Sequence, residues 1–307
     1  MTGEMAQLIL VTVVTAATPL FLAALGELVA ERSGVLNLGV EGMMVMGAAT
    51  GFAAAYLSGS TLVGALAGIA VGGLMALLFA LLTVVFAVSQ VAAGLALTIF
   101  GLGLSGLVGS GFVGLKRDPA PHLALPGLTD LPVVGRLLFG EDYFVYSALV
   151  LALLVSLVLG RTRAGLVLRA VGDNHGSAHA LGVPVRRVRI LAVVFGGGCA
   201  GLGGAYLSLA YTPFWSPEMT AGRGWIALAL VVFASWRPWR ALGGALLFGG
   251  ATVLQLHAQA FGIGLPGQFM SAIPYLATVL ALVLLSLRRR AGSVAPAMLG
   301  TAFVPDR

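Results

Sequence analysis

The sequence predicts an all-α fold: a polytopic transmembrane helix bundle of about nine spans. Three observations lead there. Of the 307 residues, 59% are hydrophobic and 9% are charged, against about 25% charged in an ordinary soluble domain. The apolar runs reach the ~18 residues that mark a bilayer-crossing helix. The alternating segments of about 10 residues that build a membrane β-barrel do not occur.

Taken in order, the spans run from Ala6 to Leu25, Leu36 to Leu57, Leu62 to Val88, Val91 to Phe112 and Tyr143 to Leu159. After a polar interruption come Ile190 to Tyr211, Trp225 to Trp236, Leu242 to Phe261 and Met270 to Leu287. The start, MTGEMAQLILVTVV, has no Lys or Arg before Arg32 and carries Glu4. It lacks the basic n-region of a signal peptide, so its apolar run is expected to stay as a span. The whole of 1–307 reads as one transmembrane domain, with a cytoplasmic loop over 160–190, an extracytoplasmic loop over 113–142 and a cytoplasmic tail over 288–307.

Orientation follows from arginine. Six of the 17 basic residues sit between Arg161 and Ile190, and short Lys/Arg-rich loops face the cytoplasm. Arg237 with Arg240, and Arg288 to Arg290, belong on the same side, as does the stretch Glu27 to Arg32. The 113–142 segment then falls outside, with Lys116, Arg117 and Arg136 balanced by Asp118, Asp130, Glu141 and Asp142. The net charge of +6 is thereby explained by membrane orientation, and no nucleic-acid partner is expected.

Within the basic island the residues Gly172 to Gly182 read as a short helix. Asp173 supplies the N-cap, and Gly182 followed by Pro184 closes it. A short capped helix between two spans suits docking onto another protein. His175 and His179 stand four apart, a spacing that could hold a metal, but no third ligand accompanies them; they read as polar residues of the docking face.

Several other motifs have plain readings. Gly101 to Gly106 matches G-x-G-x-x-G but lies inside a span with no preceding strand, so helix packing explains it better than a dinucleotide. Lys116 is the one lysine and follows Leu115, so the chain has no P-loop. No cofactor is expected on this chain. Gly64, Gly68 and Gly72 in the third span, and Gly197 and Gly201 in the sixth, give small faces for close helix contact. Cys199 reads as a small packing residue, and Tyr211, Phe214 and Trp215 as an interfacial aromatic belt.

Polar residues at membrane depth are costly and mark either an interhelical hydrogen bond or a pathway. Asn37 and Glu41 are four apart, on one face of the second span's start. Gln90 and Thr98 flank the start of the fourth. Gln255, His257 and Gln259 lie in the eighth, with 255 and 259 on one face. The set Asn37, Glu41, Gln90, Thr98, Gln255 and Gln259 forms the candidate translocation pathway.

GELVAERSGVLNLGVEGMMVMGA (26–48) resembles the signature of permease subunits of nucleoside-type ABC importers, within the ribose and branched-chain amino-acid permease family. The likeness continues through SQVAAGLALTIFGLGLSG (89–106), 168–209, 221–249 and APAMLG (295–300). The resemblance implies a non-catalytic subunit in a bacterial cell (inner or plasma) membrane, paired with a second homologous permease. It implies a cytoplasmic ABC ATPase that holds ATP and Mg, and an extracytoplasmic lipoprotein that delivers a purine or related nucleoside. The island then holds the coupling helix, with Gly172, Asp173, Asn174, His175, Ala178, Leu181 and Gly182 facing the ATPase. Three departures stand out. The family's G-E-N-P-x-A-A is Gly172-Asp173-Asn174-His175-Gly176-Ser177-Ala178, its N-Q is Ser89-Gln90, and its G-L-A-L-N ends here in Thr98. An amide and a hydroxyl present different hydrogen bonds, so position 98 bears on the cargo. Ribose, another simple sugar or a branched-chain amino acid are alternative cargoes. A stand-alone ion-coupled transporter is the alternative of another class, for which Glu41 is the sole candidate relay carboxylate.

Overall fold

Helix after helix is what an apolar chain must adopt where water cannot serve its backbone. The structure, a computed structural model, describes residues 3–123, 139–260 and 295–304 with a few isolated positions between them, and over 3–6 and 256–260 the backbone alone. Among the described residues the chain is helical, with three isolated bridges and no named strand.

Helix α1 spans Gly3–Arg32, α2 Val40–Ser58, and α3 Thr61–Ala80, which continues as a π turn over Leu81–Val85. Helix α4 spans Gln90–Gly109 and α5 Tyr143–Arg161. Two short helices of the basic loop follow, α6 over Arg163–Asp173 and α7 over His175–Ala180. Helix α8 covers Val185–Tyr206 with a π turn over Leu207–Tyr211, α9 covers Arg223–Phe233, and α10 Pro238–Ala260.

Hydroxyls inside these helices are satisfied locally. Thr12, Thr15, Thr18, Thr50, Thr83 and Thr252 each donate to the carbonyl four residues back at 2.7–3.0 Å, which lets a polar side chain sit in an apolar setting.

Helices α2 and α8 form the interior, with α1 and α3 packed against them. Their approach depends on glycine. A Cβ on Gly201 would overlap the Gly68 carbonyl, one on Gly72 the Gly197 carbonyl, and one on Gly204 the Met44 carbonyl. The small faces anticipated in the third and sixth spans therefore meet each other. Cys199 is buried against Gly26 of α1, the packing role expected of it. Helices α4 and α5 lie outside, with Leu74 of α3 joining Ile99, Leu107 and Leu154 in an exposed apolar surface.

Six described helices are long and apolar enough to cross a membrane: Gln7–Arg32, Val40–Ser58, Thr61–Val85, Gln90–Phe112, Tyr143–Arg161 and Val185–Tyr211. The expected seventh span is the 11-residue α9, which at 1.5 Å per residue covers about 16 Å of a hydrocarbon core ~30 Å thick. Alone it falls short. The expected eighth lies in α10, and the ninth, Met270 to Leu287, lies outside the described residues, so the count of nine is not reached by these residues.

Other boundaries shift for physical reasons. The first helix does not end at Leu25 but runs on to Arg32, so Glu27 and Glu31 are buried helical residues rather than loop charges. The second span does not begin at Leu36: residues 33–39 are non-helical and helix starts at Val40. The aromatic belt is only partial. Phe214 is exposed, but Trp215 is 1% exposed and packs against Gly109.

Candidate functional site

Two groups of residues draw attention, one in the basic loop and one inside the bundle. In the loop, Thr162 caps α6 by accepting from the Gly165 N–H at 3.1 Å. Helix α6 then ends at Asp173. The N-cap of the next helix is Asn174, not Asp173: its side-chain oxygen accepts from the Ser177 N–H at 2.9 Å. The expected helix over 172–182 is accordingly split. Gly172 and Asp173 finish α6, and α7 holds His175 to Ala180. The reason is local, since Asn174 adopts φ −155° and can cap from that extended conformation.

Ala178 is buried in a small cluster with Val171, Val185 and Phe303. Leu181, at 84% exposure, projects outward. Gly182 turns the chain at φ +82°, a conformation that favours glycine, and its N–H donates to the His179 carbonyl at 2.8 Å. The two histidines also pack against the chain itself. Their rings stand edge-on to Phe303 at 5.2 and 5.3 Å. His175 Nδ1 also lies 3.1 Å from the Arg189 guanidinium. A guanidinium only donates, so Nδ1 accepts and neutral His175 carries its proton on Nε2. Burial, then the Arg189 charge, draws the His175 pKa below its ordinary value, in keeping with that neutral form.

Inside the bundle, Asn37 is not on a helix and does not share a face with Glu41. Its N–H donates to Glu27 Oε1 at 3.0 Å, and its side-chain oxygen accepts from the Gly39 N–H at 3.0 Å. The neighbouring Leu36 N–H donates to Gln90 Oε1 at 2.8 Å. Thr98 donates to the Leu38 carbonyl at 3.1 Å. One non-helical segment, 36–39, thus draws together Asn37, Gln90 and Thr98 from the expected set. Glu27 Oε2 and Gln90 Nε2 are buried with no hydrogen-bond partner among the described residues.

Glu41 lies apart from them, in the first turn of α2, and meets the start of α9. It accepts from Thr220 Oγ1 at 2.6 Å, the Gly222 N–H at 2.9 Å and the Gly224 N–H at 2.6 Å. A helix N-terminus presents free N–H groups and the positive end of its dipole, which favours a carboxylate there. At the other end of α9, Trp236 Nε1 donates to Glu31 Oε2 at 2.6 Å. The short helix is therefore suspended between two carboxylates of the α1–α2 region. Gln255 is half-buried on α10, and Gln259 lies on its described backbone without a described side chain.

Sequence reasoning missed Glu27, Glu31, Thr220, Gly222, Gly224, Arg189 and Trp236. Glu27 and Glu31 carried a signal, because they are one helical turn apart and directly follow an apolar run. The α9 contacts carried none, since they join residues 179 to 205 positions apart.

A membrane bundle with polar groups gathered inside and a short helix presented at one end has the build of a permease. Residues 9–299 match the family model described as branched-chain amino acid transport system / permease component, and the chain belongs to that family. It is 44% identical over 291 residues to a putative glucose ABC transporter permease protein, TsgC13, of Haloferax volcanii, covering 88% of each chain. It is 34% identical over 280 residues to the guanosine ABC transporter permease protein NupQ of Bacillus subtilis, covering 87% of this chain and 88% of that one. The nucleoside ABC transporter permease protein NupC of Lactococcus lactis is 31% identical over 291 residues, with 91% and 92% covered. The chain is a multi-pass membrane permease of ABC type.

Proposed function

We propose that this chain forms half of the translocation pathway of an ATP-driven nucleoside importer in the cell membrane, with purine nucleosides as the favoured cargo. A second homologous permease completes the pathway through about nine spans per chain. A cytoplasmic ABC ATPase binds ATP and Mg, and an extracytoplasmic lipoprotein delivers the nucleoside. ATP binding closes the ATPase dimer and moves α7, and the bundle switches from outward- to inward-facing.

One observation carries the reading: α7 is seated by buried Ala178 while Leu181 beside it is 84% exposed. A large apolar side chain displayed on a seated helix in a basic loop fits a cleft in a partner protein. The match to two nucleoside permeases supports the cargo, and the buried Glu27 Oε2 and Gln90 Nε2, without hydrogen-bond partners among the described residues, are groups suited to hydroxyls and ring nitrogens.

The assembled complex in proteoliposomes is expected to accumulate labelled guanosine only when ATP is present. Leu181→Asp is expected to abolish uptake and release the ATPase on purification, while the permease still inserts. Full uptake by that variant would remove α7 from the coupling role. A second reading, a simple sugar as cargo, rests on the 44% identity to the putative glucose permease. Suppression of guanosine uptake by excess glucose, but not by excess adenosine, would select it.

A further inference from the structure

A buried arginine ties the proposed coupling helix to segments far from it in sequence. Arg189, 1% exposed at the base of α8, spreads its guanidinium over two of them and over the helix itself. Its Nε donates to the Ser33 carbonyl at 3.1 Å and one terminal nitrogen to the Thr301 carbonyl at 2.9 Å. The other terminal nitrogen meets His175 Nδ1 at 3.1 Å. A buried guanidinium needs its donors satisfied, and its planar fork fixes the directions in which they point.

The segment 295–304 lies along the same junction. Its Met298 N–H donates to the Gly172 carbonyl at 2.9 Å, and its Gly300 N–H to the Gly34 carbonyl at 3.1 Å. Phe303, 6% exposed, closes the cluster under α7 between the His175 and His179 rings. The fit leaves no slack. A Cβ on Gly34 would come within 2.8 Å of the Arg189 guanidinium and 3.2 Å of the Met298 carbonyl.

The geometry points to Arg189 and the 295–304 strap as the positioning elements that fasten the coupling helix to the α1–α2 turn. The inference rests on the coupling role proposed for α7. Without the strap, α7 would be held by its chain neighbours α6 and α8 and would have to move the bundle through them. With it, α7 is joined to Ser33 through Arg189 and to Gly34 through the 295–304 segment. Two residues on, the same segment supplies the N–H groups of Leu36 and Asn37 that hold Gln90 and Glu27. Hydrogen bonds and packed rings therefore run from the helix that meets the motor to the polar interior of the bundle, a physically continuous connection of the kind that can carry coupling.

The test uses the complete transporter in proteoliposomes and reads solute accumulated per ATP hydrolysed. The solute is labelled guanosine or labelled glucose, whichever the unaltered complex takes up. Phe303→Ala and Arg189→Lys are expected to lower that ratio about fivefold or more, with the ATPase still copurifying in full amount and ATP hydrolysis continuing. Phe303→Tyr, which keeps the ring, is expected to restore the ratio. A ratio unchanged in Phe303→Ala would overturn the inference, even if Arg189→Lys failed to assemble. So would loss of copurifying ATPase in Phe303→Ala, since that makes the strap part of the docking surface itself. Leu181→Asp separates the two proposals. If it leaves the ATPase bound and transport intact, the coupling role of α7 has failed. If it releases the ATPase while Phe303→Ala stays fully coupled, only the strap has failed.

Discussion

The Glu41 carboxylate accepts the Gly224 N–H at 2.6 Å across 183 residues of sequence. Its other oxygen takes the Thr220 hydroxyl and the Gly222 N–H, so every oxygen of this buried acid has a partner. The approach requires glycine at 224, where a Cβ would lie 2.5 Å from Glu41 backbone atoms. This is a staple between the start of α2 and the start of α9, and it accounts for how an 11-residue helix, too short to cross a bilayer alone, can be held in place.

Glu41→Ala would strand those donors in an apolar interior. With hydrogen bonds to charged groups worth about 1.5–3 kcal/mol each, the expected loss is on the order of 3 kcal/mol or more, seen as a lower midpoint of thermal unfolding in detergent. Glu41→Gln keeps one acceptor oxygen and should lose less. An unchanged midpoint for Glu41→Ala would mean the staple is not formed.

The crossing of α3 and α8 gives a sharper contrast. A Cβ on Gly201 overlaps the Gly68 carbonyl, whereas one on Gly103 of α4 meets nothing within 4 Å. Gly201→Ala should therefore cost about 1–3 kcal/mol through overpacking and reduce the yield of monodisperse protein in size-exclusion chromatography. Gly103→Ala should be neutral or mildly stabilising, because alanine is the better helix former. Equal behaviour of the two would remove the close-packed crossing.

The capping of α7 distinguishes sequence reading from structure directly. Asn174→Ala should remove the bond to the Ser177 N–H, at about 1 kcal/mol for a lost N-cap, and speed hydrogen exchange over 177–181. Asp173→Ala should leave that exchange unchanged. The reverse pattern would restore Asp173 as the cap.

These cases show what composition and spacing could and could not convey. Hydropathy found the long helices because every span of this kind must satisfy its own backbone, a constraint written residue by residue along the chain. The basic island was visible for the same reason, since Arg161 to Arg189 interrupts apolar sequence. The glycine faces of α3 and α8 were visible as spacing, though not that they face each other. Asn37 was misplaced because 36–39 has an ordinary apolar composition. What holds it out of the helix is Gln90 and Glu27 accepting its N–H groups, partners 54 and 10 residues away. Trp215 was misread because an aromatic near a span's end looks the same whether it meets lipid or, as here, fills the space against Gly109. Asp173 and Asn174 are both good caps, and only the backbone angle at 174 decides between them.

The start of α5 offers a test in pH. Glu141, 2% exposed, has an oxygen with no hydrogen-bond partner among the described residues. Burial first, and the Asp142 charge second, push its pKa up to about 7, against about 4.3 in an unfolded chain. An acid whose pKa rises on folding stabilises the native state fully below the unfolded value and loses that contribution as pH climbs through the folded value. Stability from Glu141 should thus fall between about pH 4.5 and 7. The place to see it is the first turn of α5, where the Phe144 and Val145 N–H groups are held by Asp142 at 2.9 and 3.1 Å. After correction for intrinsic exchange, these amides should be better protected at acid pH than at neutral pH. Asp142 is raised in the same direction by its own burial, so Glu141→Gln should flatten the dependence rather than erase it. If that variant kept the full slope, the titration would belong to Asp142, and the buried Glu141 carboxyl would have no part in it.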